Sequence, residues 1–165
     1  MPGRDDVKTG YLNGDVFTSP HATADLNPEP ALVAMLKGAK KSIRFAIYSF
    51  TLPSIADAII AAHQAGIDVK GVANFDAWTS STSQVPRLVA AGVDVRRWGK
   101  AYKLMHDKVA VVDDTAVSLG SYNWTSQAEK VNVEVMLIVQ GIQVARVLAP
   151  VLNKQIDDAY ASGTA

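Results

Sequence analysis

The chain of 165 residues has no cysteine, so no disulfide can staple it and no thiolate can hold a metal, and the redox compartment is left open. Neither sign of charge is in excess. Sixteen Lys and Arg balance sixteen Asp and Glu, so any attraction to a polyanion has to come from local clusters, not from the molecule as a whole. No apolar run approaches the ~18 residues needed to span a bilayer, and the opening Met1-Pro2-Gly3-Arg4-Asp5-Asp6 lacks the apolar core of a signal peptide. These absences predict a soluble protein without stable membrane association. It is expected in the periplasm or secreted if a leader has been removed, and in the cytoplasm otherwise. Repeats and low-complexity tracts are also missing, and the hydrophobic content of 48% is enough for one ordinary core. The expectation is a flexible polar lead-in over residues 1–13 and a single domain over 14–165.

Punctuation by Gly, Pro and Asn divides the domain into alternating strands and helices. Asp15–Ser19 reads as a strand closed by Pro20; Asn27-Pro28 is a helix start, with Asn as cap and Pro in the first turn, and Gly38 lies at its end. Ile43–Phe50 reads as a strand. A helix follows from Thr51–Pro53 to Gly66, with Ile55, Ala58, Ile59 and Ala62 on one face. Ile67–Asn74 is the next strand, Asp76–Ser83 a loop, Gln84–Ala91 a short helix and Val93–Trp98 another strand. Val131–Val139 reads as a strand, and the tail from Ile142 as a helix that Pro150 kinks or splits. The alternation predicts an α/β fold with a mixed, largely parallel β-sheet flanked by helices.

The chemistry is concentrated between Lys103 and Glu134. His106, Lys108 and Asp113 have the spacing H-x-K-x4-D, followed by Gly120, Ser121 and Asn123 as G-S-x-N and by Asn132 and Glu134 as N-x-E. Val109–Val112 reads as a buried strand, and alternation puts His106 and Lys108 on one face of it. An imidazole and an ammonium so close make sense if the histidine is neutral and an anion, phosphate above all, binds between them. Asp113-Asp114-Thr115 reads as a hairpin turn returning the chain along Ala116–Leu119. That return brings a hydroxyl and an amide, Ser121 and Asn123, beside the histidine. Glu134, a carboxylate on an apolar strand, needs a specific partner, and the second ring nitrogen of His106 suits it.

These elements in this order resemble the catalytic motif of the phospholipase D superfamily, and the short single-motif chain resembles its bacterial endonuclease, Nuc-like branch. The likeness extends to Val16–Pro20, Ile47–Thr51 and the strand ending at Asp76, covering most of residues 14–160. It implies a metal-independent phosphodiesterase with no cofactor, in which His106 attacks phosphorus to form a covalent phosphohistidine. Lys108 and Asn123, assisted by Ser121, would hold the non-bridging oxygens. Asp113, with Gly120 and Asn132, is expected to be structural. The leaving alkoxide needs a proton, and neither His21 nor His63 lies in a second motif. The family pattern therefore implies a homodimer whose two copies of His106 share one site.

Arg96, Arg97, Lys100 and Lys103, with Trp98 and Tyr102 interleaved, form a basic aromatic stretch suited to a nucleic-acid backbone and its bases. Its alternative is a solvated strand face. Trp78 either stacks on substrate or tucks under its own loop. The expected substrate is nucleic acid. Phospholipase D-type hydrolysis or phosphatidyl transfer on lipids is the competing enzyme reading, and a binding module with a disused site is a third.

Overall fold

A computed structural model describes residues 13–19, 26–99 and 103–164. His21, Lys100, Tyr102 and nearly all of the 1–13 lead-in lie outside the described residues. The strand β1 (Asn13–Ser19) is followed by helix α1 (Pro28–Lys37), strand β2 (Ser42–Ile47), helix α2 (Pro53–Gln64) and strand β3 (Asp68–Asn74). Two short helices, α3 (Phe75–Thr79) and α4 (Val85–Ala90), lead to β4 (Asp94–Trp98). The second half comprises β5 (Lys108–Val112), β6 (Ala116–Gly120), α5 (Ser126–Lys130), β7 (Glu134–Gln140) and α6 (Ile142–Ser162).

The seven strands form one sheet in the order β1-β7-β6-β5-β2-β3-β4. It is mixed, as expected, but mostly antiparallel and not largely parallel: β2, β3 and β4 run parallel, whereas β2–β5, β5–β6, β6–β7 and β1–β7 are antiparallel. The parallel half is the part built by helical crossovers, and the antiparallel half is hairpins and their returns. Alternating residues split the core in two. Ile43, Phe45, Ile47, Ala110, Val112, Met136 and Ile138 pack under α1, α2 and α4, and Ala46, Val72, Val111, Val117 and Val139 pack under α6. The sheet is thus the middle of three layers.

Local chemistry explains most element ends. The Asn27 side chain accepts from the Glu29 N–H at 3.0 Å, and Gly66 and Gly92, past the ends of α2 and α4, have φ of +84° and +86°. Three expectations differ. Phe75–Thr79 is a helical turn, not part of a loop, and the strand expected from Val131 begins only at Glu134, because Ser126–Lys130 is a helix capped by the Thr125 side chain. Helix α6 is also unbroken at Pro150. Pro150 is exposed, so the carbonyl it leaves unpaired can turn to water, while Val144, Ala149, Ile156 and Ala159 hold both halves of the helix on the sheet.

The hairpin turn is where it was expected, with Asp113 and Asp114 at φ of 53° and 57°. The Asp113 carboxylate accepts from the backbone N–H groups of Lys40, Lys41 and Ser42 at 2.7–2.8 Å. It sits at the opposite end of β5 from His106. Burial pushes its carboxyl upward, but the hydrogen bonds from Ser42, Lys40 and Lys41 and the Lys41 charge outweigh that and hold it below the usual range. Replacing Asp113 with Ala is expected to cost about 1–3 kcal/mol. The lowered pKa means that this stabilisation is present above the ordinary carboxyl value and fades as pH falls through the native value. Urea midpoints at pH 7 and pH 3 check this, since the gap between wild type and variant must shrink in acid.

Candidate active site

Strand direction brings the motif residues together. Because β5 and β7 are both antiparallel to β6, the start of β5, the end of β6 and the start of β7 lie at one edge of the sheet. The ends of β2, β3 and β4 lie there too. That edge therefore carries His106 and Lys108, then Ser121 and Asn123, then Glu134, with Tyr48 after β2 and Asn74 closing β3. It is the carboxyl edge of the parallel strands, where open α/β sheets leave room for ligands.

Several fixed contacts hold these groups. Tyr48 N–H donates to the Asp107 carbonyl at 2.9 Å, and fully buried Asn74 accepts from the Met105 N–H at 3.1 Å, so the segment around His106 is tied to β2 and β3. The His106 side chain is exposed and its ring lies against Tyr48, with centroids 4.6 Å apart at 52°. Lys108 is buried, at 6% exposure, and its Nζ donates to the His106 carbonyl at 2.7 Å while standing 4.8 Å from the Tyr48 ring centroid. Burial lowers the pKa of this ammonium, and the Glu134 and Asp107 carboxylates pull against that effect.

The loop after β6 depends on Gly120. Its φ is +152°, and a Cβ there would stand 2.2 Å from the Val135 carbonyl, so any side chain would push β6 and β7 apart. Trp124, 1% exposed, anchors the other end: its N–H donates to Ser49, its carbonyl accepts from Thr51 and Leu52, and its ring packs edge-on to Phe50. Asn123, held between them, has a buried side-chain oxygen with no donor. That oxygen is an acceptor, so a phosphate oxygen would have to be met by the amide nitrogen, for which no hydrogen bond is found among the described residues.

Glu134 behaves differently from expectation. Its two oxygens accept from the Ser121 hydroxyl and, at 3.0 Å, from the Asn132 amide, and among the described residues no hydrogen bond joins it to His106. The Val135 N–H also donates to the Ser121 oxygen at 3.1 Å. Within one chain, then, Ser121 gives its proton to Glu134 and not to a ligand, and Asn132 has a definite structural task.

Arg96 and Arg97 do not share one surface. Arg96 lies over the Tyr160 ring at 3.9 Å and donates to the Tyr160 carbonyl at 3.2 Å, so α6 holds it. Arg97 alternates to the other side, 5.5 Å from the Phe75 ring centroid. Both sit on β4, about 14 Å from β5 across three strand spacings. Lys103 is exposed close to His106 in the chain. Trp78 packs against the main core and its indole N–H is buried without a partner. His63 is a half-buried residue in the last turn of α2.

Two participants were not singled out in the sequence. Tyr48 and Asn74 each put a polar group directly after the apolar run that closes a strand, Phe45–Ile47 and Val72–Ala73, which is the signal that could have found them. A third group, Glu129, is 5% exposed and accepts from the Tyr122 hydroxyl at 2.5 Å. Burial first, then this carboxylate, pushes the Tyr122 pKa up and keeps it a neutral donor. Tyr48→Leu is expected to lower the single-turnover rate about tenfold by loosening His106, whereas Tyr48→Phe keeps the ring and most of the rate. Equal losses in both would assign the effect to the hydroxyl.

A family model described as "Cardiolipin synthase, PLD-like domain" matches residues 32–156. Nuc, a phospholipase D family member from Salmonella typhimurium, superposes with a TM-score of 0.80 at 30% identity, covering 93% of this chain and 97% of that one. NucT from Helicobacter pylori gives 0.81 at 26% identity, covering 93% and 99%. A mitochondrial cardiolipin hydrolase from Xenopus tropicalis is 39% identical over 107 residues, which is 65% of this chain and 50% of that protein. The chain spans about half the length of the curated relatives it matches.

Proposed function

The chain belongs to the phospholipase D superfamily, in its single-motif Nuc-like branch, and from that premise we propose that it is a metal-independent endonuclease cleaving nucleic-acid phosphodiester bonds. One observation carries the reading. Three separate segments deliver a histidine with a buried ammonium, an amide and a carboxylate to one open sheet edge.

A neutral His106 attacks phosphorus through a ring nitrogen, forming a P–N bond as the P–O bond to the leaving group breaks. Lys108 and Asn123 stabilise the charge gathering on the non-bridging oxygens. The departing alkoxide takes a proton from the second copy's His106, which then accepts one from water as that water attacks phosphorus. The P–N bond breaks, leaving a phosphate monoester and free histidine. Ser121 and Asn132 hold Glu134, whose negative charge near Lys108 favours the ammonium form. Surface composition supports a homodimer: Val131, Val133 and Val135, at 67%, 90% and 47% exposure, present apolar surface beside Glu134.

The reading of nucleic acid as substrate rests on likeness to Nuc and NucT along nearly their whole length. The matched cardiolipin hydrolases favour a second reading, lipid phosphodiester hydrolysis by the same residues. Among the described residues no helix is long and apolar enough to cross a membrane, and no group of three or more His, Cys, Asp or Glu could hold a metal ion. The test is incubation with EDTA and plasmid, single-stranded DNA, RNA or phosphatidylcholine vesicles. Nucleic-acid cleavage should survive chelation; loss in EDTA with rescue by magnesium would overturn the mechanism, and choline release alone would move the assignment to lipid.

A further inference from the structure

We infer that the cleft between the His106 segment and α6 receives the nucleobase next to the scissile phosphate, an inference that rests on the nuclease reading. The cleft has a volume of about 570 Å³, and His106 itself lines it, so a substrate bound at the histidine must continue past its mouth. Trp98, Leu104 and Met105 contribute apolar surface from the sheet edge, and Val151 and Ala159 contribute it from α6. Leu104 and Val151 are 59% and 65% exposed and lie in this one lining, an apolar surface of the kind that marks a ligand groove.

Charge decides what the occupant is not. Besides His106 the cleft carries two carboxylates, Asp107 and Asp158, against the single ammonium of Lys154. A run of phosphates would meet net repulsion there. The polar groups also speak against an acyl chain. Asp107 accepts from Gln155 at 2.8 Å and Asp158 pairs with Lys154 at 2.7 Å, and a hydrocarbon would strip water from all four without replacing its hydrogen bonds. A nucleobase combines flat apolar faces with a rim of donors and acceptors, so it satisfies both kinds of lining at once. The indole N–H of Trp98, buried with no acceptor, stands in the same lining.

The experiment is a scan of single-stranded DNA and RNA oligonucleotides, each with one abasic residue, through the positions on both sides of the cleaved bond. With the wild-type protein, one flanking position is expected to lose about tenfold in rate when its base is removed, the scale of one base stacking contact. The others should change little. Val151→Trp, at an exposed helix position that tolerates the larger side chain, should lower cleavage of the intact oligonucleotide by a similar factor and make the same abasic substitution neutral. Equal wild-type rates for every abasic position would overturn the subsite while leaving the nuclease reading intact. Failure to cut any intact oligonucleotide, together with choline release from dioleoylphosphatidylcholine vesicles, would overturn that reading and this occupant with it.

Discussion

His106→Asn protein is expected to fold and dimerise but to lose on the order of 10⁴ or more in turnover, since it has neither nucleophile nor proton donor. The exposed position of His106 means that little packing is lost with the ring. The sharper expectation concerns mixtures. If each site needs one His106 as nucleophile and the other as acid, a heterodimer has only one of the two and cannot complete a cycle. Under conditions where subunits exchange, activity should follow the fraction of wild-type homodimer and fall as the square of the wild-type share. A linear fall, or full activity from protein shown by sedimentation to be monomeric at assay concentration, would rule out the shared site.

The second large effect is a split between stability and activity at Lys108. Lys108→Met is expected to lower turnover about 10³-fold if, as proposed, the buried ammonium meets the phosphate oxygens. Folding stability should stay equal or rise by up to about 2 kcal/mol, because a flexible apolar side chain of similar length replaces a desolvated cation. The lowered pKa gives this a pH signature. Below the native value Lys108 is charged in both states and the desolvation cost is present in full. Between the native value and the ordinary lysine value the unfolded chain binds the extra proton, so wild-type stability rises with pH from this group. The methionine variant lacks that rise, and the advantage it holds at pH 7 should narrow towards pH 10. Urea unfolding at the two pH values measures it. A variant clearly less stable than wild type at both would show that the contact with the His106 carbonyl and the pull of Glu134 outweigh burial.

Lys108 also shows where sequence reasoning stops. That it shares a face with His106 follows from strand alternation alone, but its burial and its bond to the His106 carbonyl depend on β2 and Tyr48, some sixty residues earlier. Glu134 repeats the lesson. A carboxylate opening an apolar strand announces a partner, yet the two that occupy it are Ser121 and Asn132, not the imidazole. Arg96 and Arg97 looked like parts of one basic surface because they are adjacent in the chain. Pleating sends them to opposite faces, and the Tyr160 ring takes up the first. The five-residue helices α3 and α5 escaped notice because fewer than two turns leave no hydrophobic period to read.

By itself the sequence determined the rules that act within a few residues: the Asn27 cap, the glycines that stop α2 and α4, the Asp113–Asp114 turn, and a motif order that identifies the superfamily and the candidate reactive groups. The tertiary structure decided which of those groups meet. Asn74 reaches Met105, Tyr48 reaches His106, and Trp124 pins the Asn123 loop because seven strands pair in one particular order and direction. The physical reason is range. A cap or a turn is satisfied by atoms a few bonds away, whereas a buried amide, ammonium or carboxylate is satisfied by whatever the sheet register places within 3 Å of it, and that register is fixed by the whole packed core.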